Sequence, residues 1–362
     1  MHKRLYIPGP VEVRQDVLDQ MSKPMIGHRT KDATALQQGI SEKLQKVMGT
    51  SNTIVLSTSS GSGLMEGAVR CFTKERCAVF SIGAFGKRWY KMCEANGVPA
   101  DIFESVLGQP TTPEMVDEAL ATGKYDCITI TQNETSTGVH NPMKEIMAVV
   151  KAKYPDVITC VDTVSSMAGD YIPVGELGID VCITSTQKCL GLPPGMSIAS
   201  VSDRAIEKAK TIKNRGLYFD YVELVKFVKE KPFQYPSTPS LSHMYALDYQ
   251  LDRILEEGIE NRYKRHCEMA EVVREWARKN CEVYSNPDHL SVTVTCITNT
   301  TGIPFSELNK AMGEKGYLIS NGYGDLKDKT FRIAHMADTT MDEIKTLLKD
   351  LEETIAELKA KA

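Results

Sequence analysis

Lys188 follows an apolar, β-branched run, Val181, Cys182, Ile183 and Thr184, after three polar residues, and it precedes Gly191, Pro193, Pro194 and Gly195. The run reads as a buried strand, and the glycine–proline cluster excludes a regular helix behind it, so the amine projects from a stiff support. A lysine partly desolvated at a strand end has its ammonium form disfavoured and can act as a nucleophilic amine. Schiff-base formation with a carbonyl compound is the natural chemistry for it. Alone, a solvated loop lysine is the commoner reading. Other chemistry-bearing residues also stand just after apolar runs. Asp162 ends V-I-T-C-V, and a buried carboxylate needs a positive or hydrogen-donating partner, although a helix cap would account for it equally well. Thr58 to Gly63, T-S-S-G-S-G, opens a helical stretch with hydroxyls and glycines, which offers a phosphate free N–H groups, close approach and the positive end of a helix dipole. Phe85, in G-A-F-G, can stack on a flat ring or serve as core. His28 and Arg29, in M-I-G-H-R-T, can face a ligand or form an exposed polar turn.

The elements that must hold these residues follow from the apolar pattern. T-I-V-L-S from Thr53, A-V-F-S-I from Ala78, C-I-T-I-T from Cys127, V-I-T-C-V-D from Val157, V-C-I-T-S-T from Val181 and S-I-A-S-V from Ser197 are continuous apolar runs without alternation. Strands of that kind are buried on both faces, as in a mostly parallel sheet between helices. Helices are predicted in the gaps, at 63–73, 85–96, 113–121 and 142–153, with two more near 16–21 and 34–48. In such a sheet ligands sit beyond the carboxyl ends of the strands, which is where Lys188, Asp162, Phe85 and the serine–glycine turn all fall. Helical patterns run from about Ser240 through Leu255 and from Glu260 to Lys279, with Gly258 between them. Beyond lie a strand, L-S-V-T-V-T-C-I, a helix, F-S-E-L-N-K-A-M, a strand, T-F-R-I-A, and a final amphipathic helix, Met341 to Leu358, with residues 359–362 expected to fray. The predicted division is a large α/β domain over residues 1–257, whose segment 1–14 lines the cleft, and a smaller α+β domain over 258–362.

A chain of 362 residues exceeds the roughly 250 to 300 at which single cores stop growing. A net charge of −4 with 25% charged residues gives no basic excess for nucleic acid or anionic lipid. No apolar run approaches the roughly 18 residues of a membrane span, and no signal-peptide pattern opens the chain, so the reading is cytoplasmic. The ten cysteines contain no C-x-x-C pair and several lie inside strand-like runs, which favours reduced thiols over disulfides or a metal site.

A phosphate cradle, a ring stacker, an aspartate and a lysine match the needs of pyridoxal 5′-phosphate (PLP): an amine for the carbonyl, a carboxylate that keeps the pyridine nitrogen protonated, and a turn for the phosphate. With P-G-P at Pro8 to Pro10, S-G-S-G at Ser60 to Gly63, N-E-T-S-T-G at Asn133 to Gly138, V-D-T-V-S-S at Val161 to Ser166, T-Q-K at Thr186 to Lys188, P-P-G at Pro193 to Gly195 and F-R-I at Phe331 to Ile333, the chain resembles the class V aminotransferases of PLP fold type I over nearly its whole length. Within them it is most similar to the alanine–glyoxylate and serine–pyruvate group.

That resemblance implies a mostly parallel, mixed seven-stranded sheet and a homodimer with shared active sites. It implies phosphate contacts at Ser60, Gly61, Ser62 and Gln187, the cofactor's Schiff base on Lys188, and the pyridine partner at Asp162. Thr135 falls near the phenolic oxygen, Phe85 and Val164 on the two ring faces, and Tyr235 and Thr238 at a neighbouring subunit's cofactor phosphate. Arg332 falls on the substrate carboxylate, with Gly9 and Arg29 as further substrate contacts. The implied reaction moves an amino group from alanine or serine to glyoxylate or pyruvate, with phosphoserine or aspartate as alternative donors. Phe85 replaces a tryptophan, and Ser62 a histidine, found in some relatives, which bears on the substrate. The stretch G-S-G-L-M-E-G also resembles a dinucleotide loop, but an NAD-dependent oxidoreductase wants an acid at the end of the next strand and A-V-F-S-I-G has none. A cysteine desulfurase would ordinarily carry histidine at the places of Gln187 and Phe85.

Overall fold

The computed structural model describes residues 2–361. Its main sheet holds β1 (Thr53–Ser57), β2 (Cys77–Ser81), β3 (Ala100–Glu104), β4 (Cys127–Thr131), β5 (Ile158–Asp162), β6 (Val181–Ser185) and β7 (Ser197–Val201). They lie in the order β1-β7-β6-β5-β4-β2-β3. All neighbours run parallel except β7, which is antiparallel to both β1 and β6. Successive residues of one strand feed two separate cores. Ile54 and Leu56 pack on one side with Ile40, Leu44, Leu247 and Leu251, while Val55 packs on the other with Leu64, Met65, Ala68 and Phe72. Burial of both faces is why the runs show no alternation.

β3 escaped the sequence reading because it is an edge strand, half-buried along A-D-I-F and exposed at Glu104, so its charged residues break the apolar signal. Two surface helices, Asp203–Lys210 and Tyr221–Lys229, were missed likewise. The elements that matter most for the site are α1 (Gly61–Phe72), directly after β1, and α2 (Ala84–Ala95), directly after β2. No helix among the described residues is long and apolar enough to cross a membrane.

After α3 (Leu241–Glu257), Gly258 takes a φ of +82°, open to glycine at little steric cost, and α4 (Ile259–Asn280) begins at once. A second sheet of β8 (Glu282–Val283), β9 (Val294–Thr298), β10 (Ser320–Asn321) and β11 (Thr330–Ala334) follows, in the order β8-β9-β11-β10. It is covered by α4 and α5 (Met341–Lys361), which share a core of Met269, Val273, Phe331, Ile333, Ile344, Leu347 and Leu351. The expected fraying after Leu358 is corrected here: the helix continues to Lys361, and of that tail only Ala362 lies outside the described residues. Tyr6, near the amino terminus, belongs to this second core as well. It is held there by Arg4–Leu5 pairing with Tyr317–Leu318 and by the Ala334 N–H donating to its carbonyl at 2.9 Å.

Candidate active site

Lys188 lies in the turn that follows β6, with the Thr186 N–H bonded to the Met196 carbonyl at 3.0 Å and the Gly191 N–H to the Lys188 carbonyl at 2.8 Å closing the loop. Its ammonium donates to the carbonyl of Pro8, and the Val11 N–H donates to the Gln187 carbonyl at 3.2 Å, so the amino-terminal segment lies over the lysine. Burial pulls the Lys188 pKa down to about 8, with Arg332 and Arg88 adding repulsion and Cys189 and Asp162 opposing. An amine so placed is still mostly protonated near physiological pH but holds a far larger neutral fraction than an ordinary lysine.

Asp162 ends β5 on the neighbouring strand and is buried. Its Oδ1 accepts from the Val164 N–H at 2.8 Å, and no side chain of the described residues donates to the carboxylate. Burial raises its pKa to about 6, partly offset by that N–H and by Arg88 and Lys188. A buried carboxylate without a full complement of donors is poised to gain from a protonated ring nitrogen.

The phosphate cradle forms at the start of α1. Ser60 is the residue before the first helical turn and its hydroxyl does not cap it, which leaves first-turn N–H groups without a side-chain partner. Gly61 is required by contact: a β-carbon there would meet Val164 Cγ2 at 2.6 Å and lie 3.6 Å from Ser185 Oγ. The same contact shows that the cradle, Val164 and the end of β6 converge. Ser185 Oγ and Gln187 Oε1 are buried without a hydrogen-bond partner, and such groups cost free energy unless a ligand meets them. Free amides, an orphaned hydroxyl, an under-satisfied aspartate and a depressed lysine are together what PLP would fill.

Phe85 sits in the first turn of α2, fixed by a residue the sequence reading passed over. Glu134 is fully buried; its Oε2 accepts from the N–H groups of Phe85 and Gly86 at 3.0 and 3.1 Å, and its Oε1 from the N–H and hydroxyl of Ser136 at 3.0 and 2.6 Å. Burial raises its carboxyl pKa against those four donors. Phe85 stacks on Tyr323 with centroids 5.5 Å apart and planes at 18°, and the guanidinium of Arg88 lies 4.7 Å from its centroid. Tyr323 and Arg88 were also unforeseen; neither stands in an apolar run or in a matched motif.

Arg332, central in β11, turns away from its buried neighbours Phe331 and Ile333. It donates Nε to the Asn321 carbonyl at 3.0 Å, Nη1 to the Thr135 carbonyl at 3.2 Å and Nη2 to Ser320 Oγ at 3.0 Å. Its Cζ lies 5.6 Å from the Tyr323 ring centroid. It is 5% exposed, and no carboxylate among the described residues pairs with it. A buried guanidinium without a counter-ion is an anion site in waiting.

Three predicted contacts are not brought into this cluster. Arg29 is exposed and donates Nη1 to Gln234 Oε1 at 3.0 Å and to the Tyr235 carbonyl at 2.6 Å. Tyr235 is buried in its own chain's core, its hydroxyl unpartnered, and with Thr238 it lines a small cavity shared with Leu56, Ser57 and Met196. That cavity lies at the end of β1, just before the cradle.

The fold and the site together define a PLP-dependent enzyme of fold type I. The class V aminotransferase family model matches residues 12–347, and the chain belongs to that family. It is 40% identical over 98% of its length to an uncharacterized aminotransferase of Methanocaldococcus jannaschii, covering 93% of that relative. It is 31% identical to the serine–glyoxylate aminotransferase of Arabidopsis thaliana, covering 92% of this chain and 85% of the relative. The crystal structure of an alanine–glyoxylate aminotransferase from Nostoc sp. superposes with a TM-score of 0.92 at 25% identity, covering 98% and 96% of the two chains.

Proposed function

We propose that this PLP-dependent transaminase moves an amino group from a small amino acid, alanine or serine, to a 2-oxo acid such as glyoxylate or pyruvate. The observation that carries the reading is the presence of a buried amine of depressed pKa, Lys188, with a buried, acid-free guanidinium, Arg332, since every donor and acceptor of this class presents an α-carboxylate. When bound, PLP supplies a carbonyl for amines and an electron-accepting ring. Ser60, Gly61, Ser62 and Gln187 hold its phosphate, Asp162 its ring nitrogen, Thr135 its phenolic oxygen, and Phe85 and Val164 its faces. Lys188 would hold the cofactor's carbonyl and, once freed by the donor's amino group, would take and return the proton at the donor's Cα, as general base and acid. Arg332 fixes the carboxylate so that the Cα–H bond is aligned, worth several kcal/mol of barrier in oriented systems.

The remaining assignments rest on placement. Gly9 lies against Lys188 and so borders the substrate. For Tyr235 and Thr238 it is the family resemblance that supports contact with a cofactor phosphate across a homodimer interface, and Arg29 holds the Tyr235 segment through its carbonyl. A domain boundary between residues 257 and 258 fits the break between α3 and α4 at Gly258, with Ile259 still packed on the first core and Met269 onward on the second, and a cytoplasmic location fits nine buried, free cysteines. The deciding experiment is a single-turnover absorbance screen of donors against the PLP form and of 2-oxo acids against the pyridoxamine form. Conversion by alanine or serine, reversed by glyoxylate or pyruvate, is expected; no conversion by any α-amino acid sinks the reading.

A further inference from the structure

Arg262, in the first turn of α4, is among the bulkiest fully buried side chains and is 2% exposed. A guanidinium so placed costs free energy unless its charge and its donors are met. Its Nη1 donates to Glu257 Oε2 at 2.7 Å and to Asp338 Oδ1 at 3.2 Å, which answers the charge. Burial pushes both carboxyls up, but the neighbouring arginines hold them below the usual carboxylate range. The remaining donors go to backbone: Nε to the Ala168 carbonyl at 2.8 Å and Nη2 to the Cys189 carbonyl at 2.9 Å.

Those two carbonyls belong to the turns that carry the chemistry. Ala168 stands six residues after Asp162, with a φ of +70° that residues bearing a side chain adopt only when their surroundings enforce it. Cys189 directly follows Lys188, and its Sγ donates to the Ser165 carbonyl at 3.4 Å, a second link between the same turns. The planar guanidinium fixes the directions of both donors, so it sets the separation of the turns as a flexible ammonium could not. The lysine turn also packs on this cluster. A β-carbon on Gly191 would lie 2.9 Å from Gln250 Nε2 and 3.5 Å from Asp338 Oδ2, two groups that bond each other at 2.9 Å.

We propose that Arg262 is a positioning residue that holds Lys188 and Asp162 in fixed relation to each other, so that α4, the first helix of the smaller domain, sets the alignment of the reactive amine. It touches neither group and acts through the backbone on either side. The proposal rests on Lys188 and Asp162 forming the site described above and adds the residue that keeps them aligned. Misplacement by about 1 Å costs on the order of a hundredfold in rate. Proton transfer at the donor's Cα depends on where the amine stands, whereas capture of the carboxylate by Arg332 does not, so kcat rather than KM carries the loss.

The test compares Arg262→Lys with Arg265→Lys. The first keeps a charge between Glu257 and Asp338 but cannot reach both carbonyls. The second is a matched control: Arg265 shares Glu257 through Nε at 2.7 Å, yet its backbone acceptors are the Ala337 and Thr339 carbonyls at 3.0 and 2.6 Å, in neither turn. Amide exchange on the cofactor-free protein, read by mass spectrometry, should show protection across residues 163–170 and 186–192 falling about tenfold in Arg262→Lys only. The midpoint of the pH profile for PLP capture should climb from about 8 towards that of an ordinary lysine, again only there. In the PLP-loaded protein kcat for alanine should fall about tenfold to a hundredfold with KM held within about threefold. Should Arg262→Lys fold poorly, Arg262→Met combined with Glu257→Gln is read the same way, since Asp338 keeps Gln250 and Arg253. Equal changes in the two single variants, or a loss confined to Tm, would make Arg262 merely structural and overturn the proposal, as would a rise in KM with kcat unchanged. Loss of protection at both turns in Arg262→Lys alone, in a parent protein that carries out no amino transfer, would support the positioning and count against the transaminase reading.

Discussion

Gly9 lies so close to Lys188 that a β-carbon built on it falls 2.5 Å from Cδ and 2.6 Å from Nζ of the lysine. Its φ of +102° is also one that side-chain-bearing residues rarely adopt. Gly9→Ala is therefore expected to displace the lysine and strain the turn together. Folding stability should drop by about 1 to 2 kcal/mol, and the yield of PLP trapped on Lys188 by borohydride, read by peptide mapping, should fall with it. A variant that traps PLP as fully as the parent would show that the segment lies elsewhere in solution.

The depressed pKa of Lys188 gives a pH signature. With a value of about 8, roughly a tenth of the amine is neutral at pH 7, against about one part in three thousand for an ordinary lysine at 10.5. Capture of PLP by the cofactor-free protein should accelerate as pH rises through about 8 and then level off, followed by absorbance. A rate still climbing steeply above pH 9.5 would mean an exposed lysine is being labelled. The yellow band should be absent from Lys188→Ala.

Asp162 is raised to about 6 by burial. A carboxyl whose folded pKa lies above its unfolded value near 3.8 weakens the fold progressively as pH rises from about 4 to 6, and the whole cost persists above that. In the cofactor-free protein Asp162→Asn should therefore raise stability at pH 7, by up to about 3 kcal/mol at about 1.4 kcal/mol per pKa unit. The gain should vanish near pH 4. The same variant should retain PLP yet lose more than tenfold in turnover, since an amide cannot hold a ring nitrogen protonated. Denaturant titrations at the two pH values and a turnover assay check both signs.

Arg332→Lys keeps a charge but cannot reach the Asn321 and Thr135 carbonyls and Ser320 Oγ at once. The absorbance of the PLP-loaded protein should be unchanged. The kcat/KM should fall by about tenfold to a thousandfold for all amino acids alike, the range expected for a charged hydrogen-bond pair of about 1.5 to 4 kcal/mol. A primary amine lacking the carboxylate should respond far less. Release of PLP, or intact turnover of amino acids, would make Arg332 a structural arginine.

The parts of this site that were legible in the sequence are those whose chemistry coincides with a strand end. Lys188, Asp162 and the Ser60–Ser62 turn follow continuous apolar runs, so their place could be inferred from pattern alone. Phe85 could be placed, but not its partner Tyr323, which arrives from the second sheet across more than two hundred residues of chain. Glu134 hid inside a polar hexapeptide; only the fold shows that its carboxylate caps α2 and thereby sets the aromatic ring. Arg29 failed in the opposite direction, its chemistry suggestive and its actual partners, Gln234 and the Tyr235 carbonyl, supplied by a distant loop. β3 shows the same limit for the fold: edge position leaves it half-wet, and no apolar run marks it.

The amino-terminal strand has a practical corollary. Because Arg4–Leu5 pairs with Tyr317–Leu318 and Tyr6 with Ala334 of the second sheet, while Pro8 to Val11 rests on Gln187 and Lys188, one of the ties between the two parts of the chain is a short strap over the reactive amine. Purification tags, linkers and immobilisation chemistry placed at that end pull on the strap; at the other end they extend α5, whose last turn, Leu358 to Lys361, is largely exposed. Trimming through Tyr6 should cost the enzyme its alignment before it costs it its fold, whereas fusions after Lys361 should leave both alone.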